Sequence, residues 1–286
     1  MSSTKRIVPS LLQLSDAVRR IISLTSIPPR FSMLGPVLES LIAQGADEVW
    51  LAIPERYSRF PDWDGGLPNL PSGIRLFRAG QDLGPATKIL PAARELRGQD
   101  GQILFCDDDC NPAPGWAHRL FNIQSARPNE AVAGYVRPVH GYVENKIIAG
   151  SRRAWQLPIK YDVVYRGSRL LHRLFGTRVS RRRPFVVPGY GDIFFGVGGV
   201  VVRPHFFDDV AFDIPRIAFA VDDIWLSAML ARKKIRIYCP FMMPMPEECT
   251  ASRVDSLLSA TFDTLGRQAL NRAAAQYCQE RFGIWR

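Results

Sequence analysis

The chain has 286 residues, 47% of them hydrophobic and 22% charged, proportions that exclude a disordered or fibrous polypeptide. A chain of this length buries roughly 75% of its extended surface, so it needs neither a disulfide nor a structural metal to hold a core. Its 37 Lys+Arg against 27 Asp+Glu leave a net charge of +10, which favours an anionic partner: a nucleic acid, a nucleotide, a phospholipid surface or a phosphorylated substrate.

Apolar bursts in the N-terminal stretch are interrupted by Asp16, Arg19 and Arg20 before a signal-peptide core or a membrane span can form. Ile21 to Leu24 is a short apolar run that predicts a strand, ending in the loop Thr-Ser-Ile-Pro-Pro-Arg. Phe31 to Ala43 has helical spacing, and Gly45 is its stop. Strands are predicted at Glu48 to Ile53, Ile74 to Phe77, Gln102 to Cys106 and Ala131 to Tyr135, with a helix over Ala86 to Leu96 despite Pro91. Farther on, Asp192 to Val202 is apolar around a glycine cluster. Val221 to Arg232 reads as a helix opened by two acids, Ile235 to Tyr238 as a strand, and Arg253 to Phe282 as mostly helical. Strands alternating with helices at this spacing predict an α/β fold with a mixed, mostly parallel sheet flanked by helices. No repeat or linker divides the chain, so residues 1–286 read as a single domain with a basic insertion at 152–183. The five cysteines contain no C-x-x-C pair and suit a reducing compartment, so a cytoplasmic protein is expected.

The strand at 102–106 runs directly into Asp107, Asp108 and Asp109. In open α/β sheets, ligands bind at the carboxyl ends of strands. Three adjacent carboxylates repel one another, and a hard divalent cation such as Mg²⁺ or Mn²⁺ offsets that repulsion. Alternation along an extended chain lets the outer two acids face one way and the middle one another. The competing reading is a solvated acidic turn before Asn111-Pro112.

Ile-Leu-Phe-Cys-Asp107-Asp108-Asp109 resembles the D-x-D motif of glycosyltransferases with the GT-A fold. Other segments stand in the order that family requires. Ile21 to Arg30 resembles the first strand and nucleotide loop, and Asp82 to Lys88 the stretch between the third strand and the D-x-D strand. Gly196-Val197-Gly198-Gly199 resembles the acceptor segment, and Val221 to Leu226 the acidic pair that opens a helix. The similarity covers about residues 20–240, with a nucleotide-binding part at about 20–135 and an acceptor part at about 136–286.

The resemblance implies a nucleotide-diphosphate sugar as donor, a glycan or lipid-linked acceptor, and Mn²⁺ or Mg²⁺ as cofactor. By position, Asp107 lies near the ribose and shares the metal with Asp109, while Asp108 contacts the donor sugar or supports its neighbours. Asp223 corresponds to the catalytic base of inverting members, with Asp222 beside it. A free Asp titrates near 3.9, so an efficient base needs its pKa raised, for which burial by Phe219, Trp225 and the second carboxylate is available. Arg30 and Lys88 are candidate diphosphate contacts, each against the alternative of a surface cation. Asp82 is a nucleoside contact or a helix cap. Gly198 and Gly199 allow a close backbone approach to a sugar, or else tight packing of a buried strand. One departure stands out. All four histidines, His118, His140, His172 and His205, precede Asp222, so no histidine follows the acidic pair as a third metal ligand, and Glu247 or Glu248 is left for that role.

Residues 152–183 hold ten cations against the single acid Asp162. Gly167, Val163, Leu170, Leu171 and Leu174 share one helical face, and Arg166, Arg169 and Arg173 another, a basic amphipathic pattern. A flap resting on an anionic membrane at the cytoplasmic face, a site for an acidic acceptor and an ordinary surface helix all fit it. A basic protein using 152–183 on nucleic acid or membrane is the alternative function. Nucleic acid is the weaker choice, because no helix-turn-helix, zinc finger or aromatic RNA-binding signature occurs.

Overall fold

The computed structural model describes residues 18–143, 152–177, 179–249, 251, 254–255 and 266–286. The N-terminal stretch to residue 17, Arg178, and residues 253 and 256–265 of the tail expected to be helical lie outside the described residues.

An eight-stranded sheet forms the centre. Its strands, in spatial order, are Gly189–Gly191, Ile237–Cys239, Ala131–Ala133, Val200–Val202, β4 (Gly101–Phe105), β1 (Arg19–Thr25), β2 (Glu48–Pro54) and β3 (Ile74–Ala79). β1, β2, β3 and β4 pair in parallel, as do Ala131–Ala133 and Ile237–Cys239. Only Val200–Val202 and Gly189–Gly191 run against the rest. The mixed, mostly parallel sheet expected from the sequence is therefore present.

Side chains alternate across this sheet with the period of two that a strand imposes. Ile21, Ile103, Phe105, Val200 and Val202 enter one buried cluster, together with residues of α2 (Leu90–Glu95), α5 (Asp222–Arg232) and α6 (Arg267–Phe282). Ile22, Leu24, Leu104, Val132 and Val201 enter the other, against α1 (Gly35–Ile42) and α3 (Trp116–Ser125). With helices on both faces, β4 is buried at every position, which is why Ile103, Leu104 and Phe105 form a continuous apolar run.

The structure refines several expectations. Prolines 28 and 29 open a 3₁₀ turn at Pro28–Met33, so the first helix starts at Gly35 rather than Phe31. The helix expected over 86–96 is a 3₁₀ turn, Gly84–Lys88, followed by α2, where Pro91 stands in the first turn and needs no N–H. The apolar run 192–202 is broken by the turn Gly196–Gly198. α3 was not expected. Its buried stripe of Trp116, Ala117, Leu120, Phe121 and Gln124 carries a helical period that polar neighbours obscure. Among the described residues no helix is long and apolar enough to cross a membrane.

Candidate active site

The carboxyl ends of the parallel strands converge on one edge of the sheet. Thr25 ends β1 and Ser26 follows it, Tyr57 follows β2, Asp82 follows β3, and Asp107, Asp108 and Asp109 follow β4; all line one cleft of about 1290 Å³. Lys88, Asp222 and Asp223 complete its floor.

The three aspartates separate across the turn that follows β4. Ligand atoms of Asp107 and Asp109, with Cys110, lie within 4.8 Å of one another. Asp108 turns away and is buried. Ser26 Oγ donates to its Oδ2 at 2.5 Å, and Arg30 Nη1 donates to its Oδ1 at 2.5 Å. Burial keeps the Asp108 carboxyl above the usual range, although Arg30 and Ser26 favour its charged form. Burial, reinforced by the charges of Asp107 and Asp108, raises Asp109 to about 6. Two carboxylates suit a hard cation. Cys110 does not, because burial holds its soft thiol protonated.

Lys88 is buried at the centre of the remaining acids. Its Nζ lies 2.6 Å from Asp107 Oδ1 and 2.9 Å from Asp222 Oδ2. Burial alone would lower its pKa, but the charges of Asp107, Asp222 and Asp223 outweigh this and hold it well above the ordinary lysine value. Gly196 must be a glycine here. A Cβ at that position would lie 2.6 Å from both Asp107 Oδ1 and Lys88 Nζ. The Gly196 N–H donates to Asp223 Oδ1 at 3.0 Å. Asp223 Oδ2 has no hydrogen-bond partner among the described residues. Burial, followed by the Asp222 charge and opposed by Lys88, pushes the Asp223 carboxyl well above its usual range.

Both candidate diphosphate contacts, Arg30 and Lys88, line the cleft and are already engaged within the chain. Arg30 is committed to Asp108 and, through Nε, to the Val254 carbonyl, while Lys88 is held by its two acids. Both Asp82 carboxylate oxygens accept backbone N–H groups, from Gly84 and Ser58, so the turn-capping alternative describes its contacts. Gly198 and Gly199 are not among the residues lining the cleft. A Cβ on Gly198 would meet the Tyr135 backbone, and one on Gly199 the Trp116 ring, so both serve packing. Trp225 donates to the Ala211 carbonyl inside the core, leaving Phe219 as the aromatic residue beside the acidic pair in the cleft. Glu247 is engaged by Arg181, whereas Glu248 lines the cleft.

The sequence reading missed the contribution of α6, which supplies Arg267, Gln268, Asn271 and Arg272 to the cleft wall. Their spacing (i, i+1, i+4, i+5) is one helical face that adjoins the buried Leu270, Ala274 and Cys278, and this was the available signal. Ser26 and His140 were likewise unexpected as cleft residues.

No curated protein matches the chain significantly. Among solved structures, it is similar to GalNAc-T7 with UDP, GalNAc and Mn²⁺, at 11% identity and a TM-score of 0.48 over 93% of this chain and 48% of that one. It is also similar to S. aureus TarS 1-349, at 11% identity and a TM-score of 0.43 over 93% of this chain and 72% of that one. The chain thus spans about half the length of the GalNAc-T7 chain. The family model described as glycosyl transferase family 2 matches residues 30–187, a span that runs from Arg30 through the three aspartates to the far end of the basic segment. That span is more than half of the sequence, and the chain belongs to glycosyl transferase family 2.

Proposed function

We propose that the protein transfers a sugar from a nucleotide-diphosphate donor to a hydroxyl of a glycan or lipid-linked acceptor, with inversion at the anomeric carbon. The observation that carries this reading is Asp223. It stands in the cleft, is anchored through one oxygen by the Gly196 N–H, and has its proton affinity raised by burial and by Asp222. Its free oxygen accepts the proton of the acceptor hydroxyl as that oxygen attacks the anomeric carbon. The bond from that carbon to the diphosphate oxygen breaks, and the nucleoside diphosphate leaves with the electron pair. Asp222 acts through Lys88 and holds it in place.

Asp107 and Asp109 are the residues that would hold Mn²⁺ or Mg²⁺, with Glu248, which lines the same cleft, a candidate for a further oxygen ligand. When bound, the cation offsets the charge developing on the leaving diphosphate. Asp108 orders the loop from beneath, so the sugar-contact role falls to other residues. With Arg30 and Lys88 engaged, Arg272 is proposed to meet the diphosphate; like Arg137 it is an exposed cleft cation without an ion-pair partner among the described residues. In this reading the single domain uses about 20–135 for the nucleotide and the remainder for the acceptor. The five cysteines are free thiols, consistent with a cytoplasmic enzyme.

The test is thermal-shift screening against nucleotide-sugars and nucleoside diphosphates, with and without Mn²⁺, followed by NMR of the product anomer. Stabilisation that requires Mn²⁺, and a product of inverted configuration, are expected. A complete panel without any stabilisation would overturn the donor assignment, and a retained anomer would overturn the role of Asp223.

A further inference from the structure

α4 (Val163–Phe175) differs from the other α-helices among the described residues. Each of those buries side chains in the core, and α4 buries none. Val163, Val164, Leu170, Leu171, Leu174 and Phe175 are between 50% and 74% exposed. At 3.6 residues per turn these six side chains occupy one arc of about 140°. Arg166, Arg173 and Arg169 follow beyond its Leu170 edge, and the half-buried Tyr165 and Ser168 face the body.

The helix is well formed locally. Asp162 accepts from the Tyr165 N–H at 3.0 Å at its start, and Gly176, at φ 66°, closes its end. A 13-residue helix without tertiary burial is nonetheless marginal in water, so its apolar arc calls for an apolar occupant. The surrounding charge selects which one. Arg153, Arg181 and Arg182 are neutralised by Asp192, Glu247 and Asp162. Lys160, Arg166, Arg169 and Arg173 have no acidic partner among the described residues. A second copy of the chain would bring these same cations together, and the segment's one acid is already used. Trp155 and Tyr161, 51% and 59% exposed just before the helix, are the residue types that settle at a membrane–water boundary.

We propose that α4 docks the protein on an anionic lipid bilayer, its apolar arc in the headgroup–acyl boundary and its arginines among the phosphates. Docking is coupled to the cleft by covalent proximity. The chain returning from α4 carries Arg181, whose Nη1 donates to the Asn111 carbonyl at 2.6 Å, two residues from Asp109. The surface contact thus holds the cleft near the bilayer, where a lipid-linked acceptor would be met.

The test is flotation of the full chain with vesicles of phosphatidylcholine containing phosphatidylglycerol, beside pure phosphatidylcholine. Flotation with the anionic vesicles, declining as salt rises, is expected. The combined changes Arg166→Ala, Arg169→Ala and Arg173→Ala should weaken partitioning by roughly 100-fold. The combined changes Leu170→Ser, Leu171→Ser and Leu174→Ser should abolish it while leaving the melting temperature unchanged, because none of the three lies in the core. Absence of flotation, or flotation unaltered by both sets of changes, overturns the proposal. So does a wild-type dimer in size-exclusion chromatography that the serine changes turn into a monomer, which assigns the face to a second copy.

Discussion

Replacing Lys88 by methionine keeps its length and removes its charge, leaving Asp107 and Asp222 face to face with Asp223 close by. Removing one partner of a buried ion pair costs about 3–5 kcal/mol. Here the Asp222 side chain is 6% exposed but that of Asp107 is 33% exposed, so water recovers part of the lost solvation. The lower end, about 3 kcal/mol, therefore applies. At roughly 2–4 °C per kcal/mol for chains approaching this size, the melting temperature should fall by about 6–12 °C near pH 8.

The sign of the pH dependence follows from the same contacts. In the wild type the folded pKa of Lys88 lies above its unfolded value. Its contribution is thus fully present below the unfolded value and is lost only as pH rises through the folded one. It does not vary between pH 5 and 8. In the variant the unpaired carboxylates relieve themselves by taking up protons, so acidification narrows the gap from wild type. Thermal unfolding of both proteins followed by circular dichroism at pH 5 and pH 8 measures it. A melting temperature within about 1 °C of wild type at pH 8, or a gap that widens at pH 5, would refute the bridging role.

Asp223→Asn keeps an acceptor for the Gly196 N–H and should bind donor normally, but lower kcat by roughly 10²–10⁴. Since the base must be ionised and its pKa is raised, wild-type kcat/KM should fall with acidification well above pH 4; a profile flat to pH 5 sinks the assignment. Asp109→Asn removes one of two carboxylates that would share the cation, so Mn²⁺ should no longer tighten nucleoside-diphosphate binding by the 5–150-fold typical of coupled sites. Calorimetric titrations in which the Mn²⁺ effect survives would exclude Asp109 as a ligand. Arg272→Ala should raise the donor KM about tenfold with an unchanged melting temperature, because the side chain is exposed. An unchanged KM places the diphosphate elsewhere.

The sheet was largely legible because its strands are short, apolar and punctuated. Ile21 to Leu24, Glu48 to Ile53 and Gln102 to Cys106 all fall on observed strands. Helix boundaries were less so. Proline sits inside both early helical patterns, and periodicity does not show whether a proline begins a helix or interrupts it. α3 was hidden because a helix resting one face on the sheet presents His118, Arg119 and Asn122 among its apolar residues. The acids of the cleft were visible for a physical reason. They stand together directly after an apolar strand, and the carboxyl ends of parallel strands are where such sheets bind ligands.

What the sequence could not show was which charge neutralises which. Arg30 and Lys88 read as free cations because their partners are 78 and 19 residues distant. Once those partners are known, the meaning of the net charge of +10 changes. The floor of the cleft gathers Asp107, Asp108, Asp109, Asp222 and Asp223 around only two buried cations, so it is electronegative, whereas Arg137, Arg267 and Arg272 stand on the walls. A bare nucleoside diphosphate would be repelled by such a floor, whereas one carrying a divalent cation would be attracted. On the proposed reading, the metal and the donor therefore enter as linked ligands, each raising the affinity of the other by the same factor. The positive charge that sets the sequence apart serves a different end. Much of it lies on α4 and its flanks, where Lys160, Arg166, Arg169 and Arg173 have no acidic partner among the described residues and, on the proposed reading, a lipid surface to meet.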